Sequence, residues 1–123
     1  NPLPNKLDTL PASGGTKASI RYDVAQANFY LARITHPDSF SSSPTLDDAV
    51  AWVGSSVVGQ VSVAAMSDYE AAKVISPVNV TTFNLTLAGS TWFTVSSTAT
   101  YGYNKALPAG NYTAIIKADC IAK

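Results

Sequence analysis

His36 is the only histidine in the chain, so any Ser-His-Asp type of chemistry would have to pass through it, with Asp38 two residues away to orient the ring. A triad would also need an activated serine, and no serine stands in the sharp Gly-x-Ser-x-Gly elbow that exposes a nucleophile. A single histidine removes His clusters and the HExxH pattern, and with them most metal sites. Asp47 and Asp48 are adjacent carboxylates of the kind that do acid/base work or bind a cation. Their place after Thr45 is already explained by a helix start, where carboxylates favour the positive end, and that is the expected reading. Gly14, Gly15, Thr16 and Lys17 share the end of a phosphate-binding loop but lack its earlier glycine and the strand before it. His36 is therefore expected in a loop, and no catalytic residue, metal or cofactor is expected.

Binding chemistry has better candidates. Tyr101, Tyr103 and Tyr112, with Asn104 and Lys105 beside them, combine aromatic faces with an amide, which suits stacking on and hydrogen bonding to a sugar. Tyr101, Tyr103 and Asn104 are the candidate glycan-binding residues. Asn-x-Thr triplets at Asn79, Asn84 and Asn111 are candidate N-glycosylation sites, with Asn84 best placed on the polar face opposite Phe83 and Leu85. Cys120 is the only cysteine and cannot form a disulfide within the chain. Its place on an apolar face predicts a buried, inert thiol, with a bridge between chains as the alternative.

The elements that must position these residues follow from composition and periodicity. A chain of 123 residues suits one domain with a real core. Charged residues make up 13% of it, against about 25% in ordinary domains. Eight basic residues balance eight acidic ones, so no field points at a nucleic acid. Serine and threonine supply about a fifth of the residues and Glu70 is the only glutamate, a composition that favours strands and turns over helix. No apolar run is long enough to cross a membrane, so no membrane insertion is expected. The chain opens at Asn1 without a basic and apolar leader, so a secreted chain would have lost its signal peptide.

Residues 1–15 carry Pro2, Pro4 and Pro11 among Leu3, Leu7 and Leu10, which blocks a helix and predicts an extended N-terminal arm ahead of a domain over 16–123. Strict alternation predicts a strand over residues 17–24, with Ala18, Ile20, Tyr22 and Val24 on one face. A second extended segment covers 28–34, and a loop follows to Pro44. Thr45, Asp47, Asp48 and Gly54 predict a short helix, and Ser67 with Glu70 a second helical turn opened by a capping box. Between them Val57, Val58, Val61 and Val63 suit a strand. Phe83, Leu85 and Leu87, a turn at Ala88 to Ser90, and Trp92, Phe93 and Val95 predict a hairpin over 78–97. A closing strand over 107–121 puts Tyr112, Ala114, Ile116, Ala118 and Cys120 on one face. The predicted core is Ile20, Tyr22, Phe83, Leu85, Trp92, Tyr112, Ala114 and Ile116. The fold class is mainly β, a single antiparallel β-sandwich of immunoglobulin-like or jelly-roll-like type with one or two short helices.

The closing segment LPAGNYTAIIKADC resembles the final strand of fimbrial pilins and related fibre-forming, immunoglobulin-like surface subunits, in which an Ala-Gly-x-Tyr-Thr turn precedes alternating apolar residues. The resemblance implies a subunit assembled by exchange of a terminal strand, with Leu3, Leu7 and Leu10 in the assembly arm. The expectation is a non-enzymatic structural subunit of an extracellular assembly, a surface fibre or a virion, whose partners are copies of itself in a homo-oligomer or filament. The alternative is a secreted carbohydrate-binding or adhesive module, with glycans as partners.

Overall fold

The computed structural model describes residues 6–8, 17–102 and 107–123. Its strands are β1 (Lys6–Asp8), β2 (Ala18–Val24), β3 (Tyr30–Thr35), β4 (Val50–Val61), β5 (Val74–Ile75), β6 (Val80–Leu85), β7 (Gly89–Tyr101) and β8 (Lys117–Ala122). A 3-10 turn (Ala64–Asp68) runs into the single-turn helix α1 (Tyr69–Ala72). The strands form two antiparallel sheets that pack face to face as a sandwich.

Long β7 organises the first sheet. β4 pairs along one of its edges, from Val50 opposite Tyr101 to Val61 opposite Thr91. Its other edge is shared, with β2 opposite Gly89 to Val95 and β1 opposite Thr98 to Thr100. This sheet is therefore three strands wide, with β1 and β2 in line. The second sheet is four strands wide, in the order β5-β6-β3-β8.

Two-residue alternation decides which side chains meet between the sheets. Tyr22 and Val24 of β2, Ala32 and Ile34 of β3, Phe83 and Leu85 of β6, and Phe93 and Val95 of β7 are buried together with Met66 and Tyr69. Phe83 and Phe93 face each other across the sheets with ring centroids 4.2 Å apart, and Tyr22 meets Phe93 edge-on at 5.6 Å. Ile20 and Ile116 pack against this cluster while partly exposed.

Several expectations require correction. The predicted helix after Thr45 is absent: Val50 to Gly54 belong to β4, because pairing along the whole of β7 outweighs a local capping signal. The second helical turn forms, but without the capping box, since Asp68 is the N-cap and makes no side-chain cap bond. β6 and β7 are not a hairpin; they lie in different sheets, and the short link between them crosses from one to the other. Trp92 faces outward under the Arg21 guanidinium, 5.0 Å from the ring centroid, while its neighbours Thr91 and Phe93 point into the core. The closing strand starts at Lys117, so Tyr112 and Ala114 lie outside any strand and Ala114 is exposed.

The assignment of faces on β7 is directly testable. Phe93→Ala is expected to cost about 3–5 kcal/mol in urea denaturation, as for a fully buried aromatic. Trp92→Ala, which loses one half-exposed cation-π contact, is expected to cost about 1 kcal/mol or less. Reversal of that order would show that the faces of β7 are assigned the wrong way round.

Candidate interaction edges and the aromatic cleft

An edge strand exposes a row of unpaired backbone groups, and the two lateral sides of this sandwich treat that row differently. On the β4 side the edge is covered at Ser56 and Val58, the middle of the strand. Glu70 of α1 accepts a hydrogen bond from Val58 N at 2.9 Å, and Lys73, just past α1, donates to Ser56 O at 3.0 Å. Glu70 and Lys73 also pair with each other. Desolvation raises the Glu70 carboxyl, but the hydrogen bonds from Lys73 and from Val58 N outweigh it and hold the group below its ordinary value. The neighbouring edge, β5, is only two residues long and is followed by Pro77.

On the opposite side β2 and β8 each have one edge without a partner strand among the described residues. The two come together where Tyr22 Oη donates to Asp119 O at 3.0 Å. Burial pushes the Tyr22 phenol up to about 12, and the nearby Cys120 and Asp119 add to the rise. Because the first sheet is one strand narrower, nothing described covers the inner face of β8. Ala118 and Cys120 sit opposite the fully buried Ile34 and Ala32, yet both are exposed. The expected buried thiol of Cys120 is thus corrected: its face is the right one, but the facing sheet stops short of it.

The arm supplies β1. Its Leu7 lines a cleft of about 440 Å³ whose walls include Phe40, Trp52, Tyr112 and Ile116. Phe40 is the hub of that wall, with ring centroids 4.7 Å from Trp52 and 5.1 Å from Tyr112. Leu3 and Leu10 lie outside the described residues, as do Tyr103 and Asn104. Tyr101 is buried, and its hydroxyl accepts from Asp47 N at 3.0 Å and donates to the Asp47 carboxylate. It therefore presents no face to a sugar, and Asp47 holds a tyrosine where a helix start was expected. The aromatic surface that does exist was missed because Phe40 and Trp52 lie on separate segments brought together only by the fold.

His36, expected in a loop, is 2% exposed and directly follows β3. Its Nε2 lies 2.6 Å from Ser56 Oγ, the geometry of a nucleophile and its base, but Ser56 is 1% exposed and its hydroxyl is closed off from solvent. His36 Nδ1 has no hydrogen-bond partner among the described residues, and desolvation, with Lys73 nearby, lowers the ring below its ordinary value. No group of three or more His, Cys, Asp or Glu side chains that could hold a metal occurs among the described residues. No described helix is long and apolar enough to cross a membrane. Asn84 and Asn111 are exposed, whereas Asn79 Nδ2 donates to His36 O at 3.3 Å. Comparison with protein-family models, with curated proteins and with solved structures gave no match to this chain.

Two outcomes follow from the His36 environment. Since the folded-state pKa lies below the unfolded value of 6.5, the unfolded chain takes up the proton first, and stability falls as pH drops below about 6.5. Denaturant melts between pH 7.5 and 5 are expected to show that loss in the intact chain and not in His36→Gln. A Cβ at Gly54 would lie 2.4 Å from His36 Cγ, so Gly54→Ala is expected to cost about 1–3 kcal/mol and much less in a His36→Ala background. An equal cost in both backgrounds would remove the steric explanation.

Proposed function

We propose that the chain is a non-enzymatic structural subunit of an extracellular assembly, a surface fibre or a virion, that associates with copies of itself through sheet edges and its N-terminal arm. The observation that carries this reading is the contrast between its sides: the middle of one edge is covered by Glu70 and Lys73, while the β2 and β8 edges have no partner strand among the described residues. Exposed strand edges are templates for another chain, and a protein that guards one and leaves its opposite open has a use for the second. The low charge, the serine- and threonine-rich composition and the exposed Asn84 and Asn111 sequons support an extracellular setting.

The arm is suited to reach a neighbour. Asp8 stands opposite Thr98 and Ala18 opposite Val95, so Ser96 and Ser97 are the only β7 positions between the two in-line strands. The chain spends residues 9–17, nine residues, on that interval. Nine extended residues reach about 30 Å, enough to place β1 on the β7 of another copy with Leu7 in its aromatic cleft. Deleting residues 1–15 is expected to reduce the assembly size measured by light scattering while circular dichroism still reports a β fold. Intact and truncated chains of equal size would remove the arm from the mechanism.

The aromatic cleft favours the second reading, a secreted carbohydrate-binding or adhesive module, now resting on Phe40, Trp52 and Tyr112 rather than on Tyr101. A glycan array separates the two. Binding that is lost in Trp52→Ala, from a chain that stays monomeric, would favour the module over the subunit.

A further inference from the structure

Two backbone bonds fix the direction in which the edge of β8 points. Lys123 N donates to Phe29 O at 2.9 Å, and on the far side of β3 His36 N donates to Asn79 O at 2.7 Å. Backbone groups of an antiparallel strand turn alternately to its two sides. Lys117, Asp119 and Ile121 therefore turn theirs towards β3, and Ala118, Cys120 and Ala122 turn theirs outward. No described strand receives them.

We propose that β8 pairs antiparallel with β8 of a second copy, about a two-fold axis through Ala118, joining the two four-stranded sheets into one. The inference rests on the self-association reading above and names its contact. Charge selects the register. With the axis at Ala118, Lys117 faces Asp119 of the partner copy and Asp119 faces the partner's Lys117. An axis at Asp119 would set two aspartates face to face, an axis at Lys117 two lysines, and an axis at Cys120 would put Lys117 opposite Lys123 twice. Opposite charges directly across a strand pair stabilise it and like charges destabilise it. An axis at Ile121 would also set Asp119 opposite the partner's Lys123, but it overlaps only residues 119–123, and Lys123 lies past the strand end with its side chain already on Asn28, so the first register gains most.

The neighbouring side chains agree with that choice. Lys117 and Asp119 form the non-hydrogen-bonded pairs, in which facing side chains come closest. Asp119 already accepts from Arg33 at 3.3 Å, so the contact extends a row of alternating charge from Arg33 through Asp119 to the partner's Lys117. Ile115, 59% exposed, comes opposite Ile121 of the partner copy if the pairing runs on past the strand end. On the inner face small side chains meet, Ala118 against Ala118.

Light scattering of the full chain over a concentration series tests the contact. Ala118→Pro removes an N–H that points away from β3, so the intrachain ladder survives while the edge is blocked. Lys117→Glu sets a carboxylate against Asp119. Each is expected to raise the dissociation constant of the pair at least about tenfold, with an unchanged circular dichroism spectrum. Mixing Lys117→Glu with Asp119→Lys is expected to restore a mixed pair, because every facing charge is then opposite again. If the intact chain associates and both edge variants associate equally well, self-association stands and the β8 contact is overturned. If the intact chain is monomeric at every concentration, the self-association reading and the β8 contact fall together.

Discussion

The contact between Phe83 and Phe93 is the interaction on which the rest of the molecule depends. It joins the centres of the two sheets with ring centroids 4.2 Å apart, and Tyr22 closes over Phe93 from the side. The other residues of the central cluster are arranged around these rings. β7 carries Phe93 and so sets the register of β2 and β4 on its two edges; β6 carries Phe83 and sets that of β3. Met66 and Tyr69 complete the same cluster from the 3-10 turn and α1. That packing brings Glu70 and Lys73 to the edge of β4. The covering of one side of the sandwich is thus a by-product of how its centre is filled.

Width, rather than composition, separates the two sides. Four strands lie under three, and the surplus strand, β8, carries small residues on the face that no described strand covers. A large apolar residue at Ala118 or Cys120 would leave an adhesive surface on every free copy, whereas alanine and cysteine leave a shallow one. The pairing inferred for β8 is isologous: it closes on itself and joins two copies only. In the proposed assembly, extension beyond two copies would therefore fall to the arm, whose contact with β7 of another copy would be of the head-to-tail kind.

Local alternation made β2 and β6 legible in the sequence, and with them the two-sheet class of the fold. Tyr22, Phe83 and Leu85 occupy the positions the pattern predicts. The pattern fails where long-range pairing decides. Thr45, Asp47 and Asp48 carry the local chemistry of a helix start, but the segment that follows is recruited by the full length of β7. Trp92 and Phe93 are adjacent and both aromatic, so hydrophobicity alone could not say which faced in. The three-residue link from β6 to β7 is as compatible with a hairpin as with a change of sheet, because alternation describes faces and not partners. Of the candidate site, Leu7 and the apolar face of Cys120 could be read directly. The aromatic cleft and the two free edges could not, since they arise from segments distant in sequence and from a difference in sheet width.

The close approach of Gly54 to His36 has an evolutionary consequence. β4 passes so near the imidazole that even a methyl group at position 54 would overlap the ring. Neither position can therefore drift alone: a side chain at 54 becomes tolerable only once 36 has shrunk, and a shrunken 36 leaves Ser56 without its partner and a void beside β4. Among descendants of this sequence, residues 36, 54 and 56 are expected to change as a set, with the intermediate steps selected against. Such a triplet would mark kinship with this fold even where overall identity has decayed.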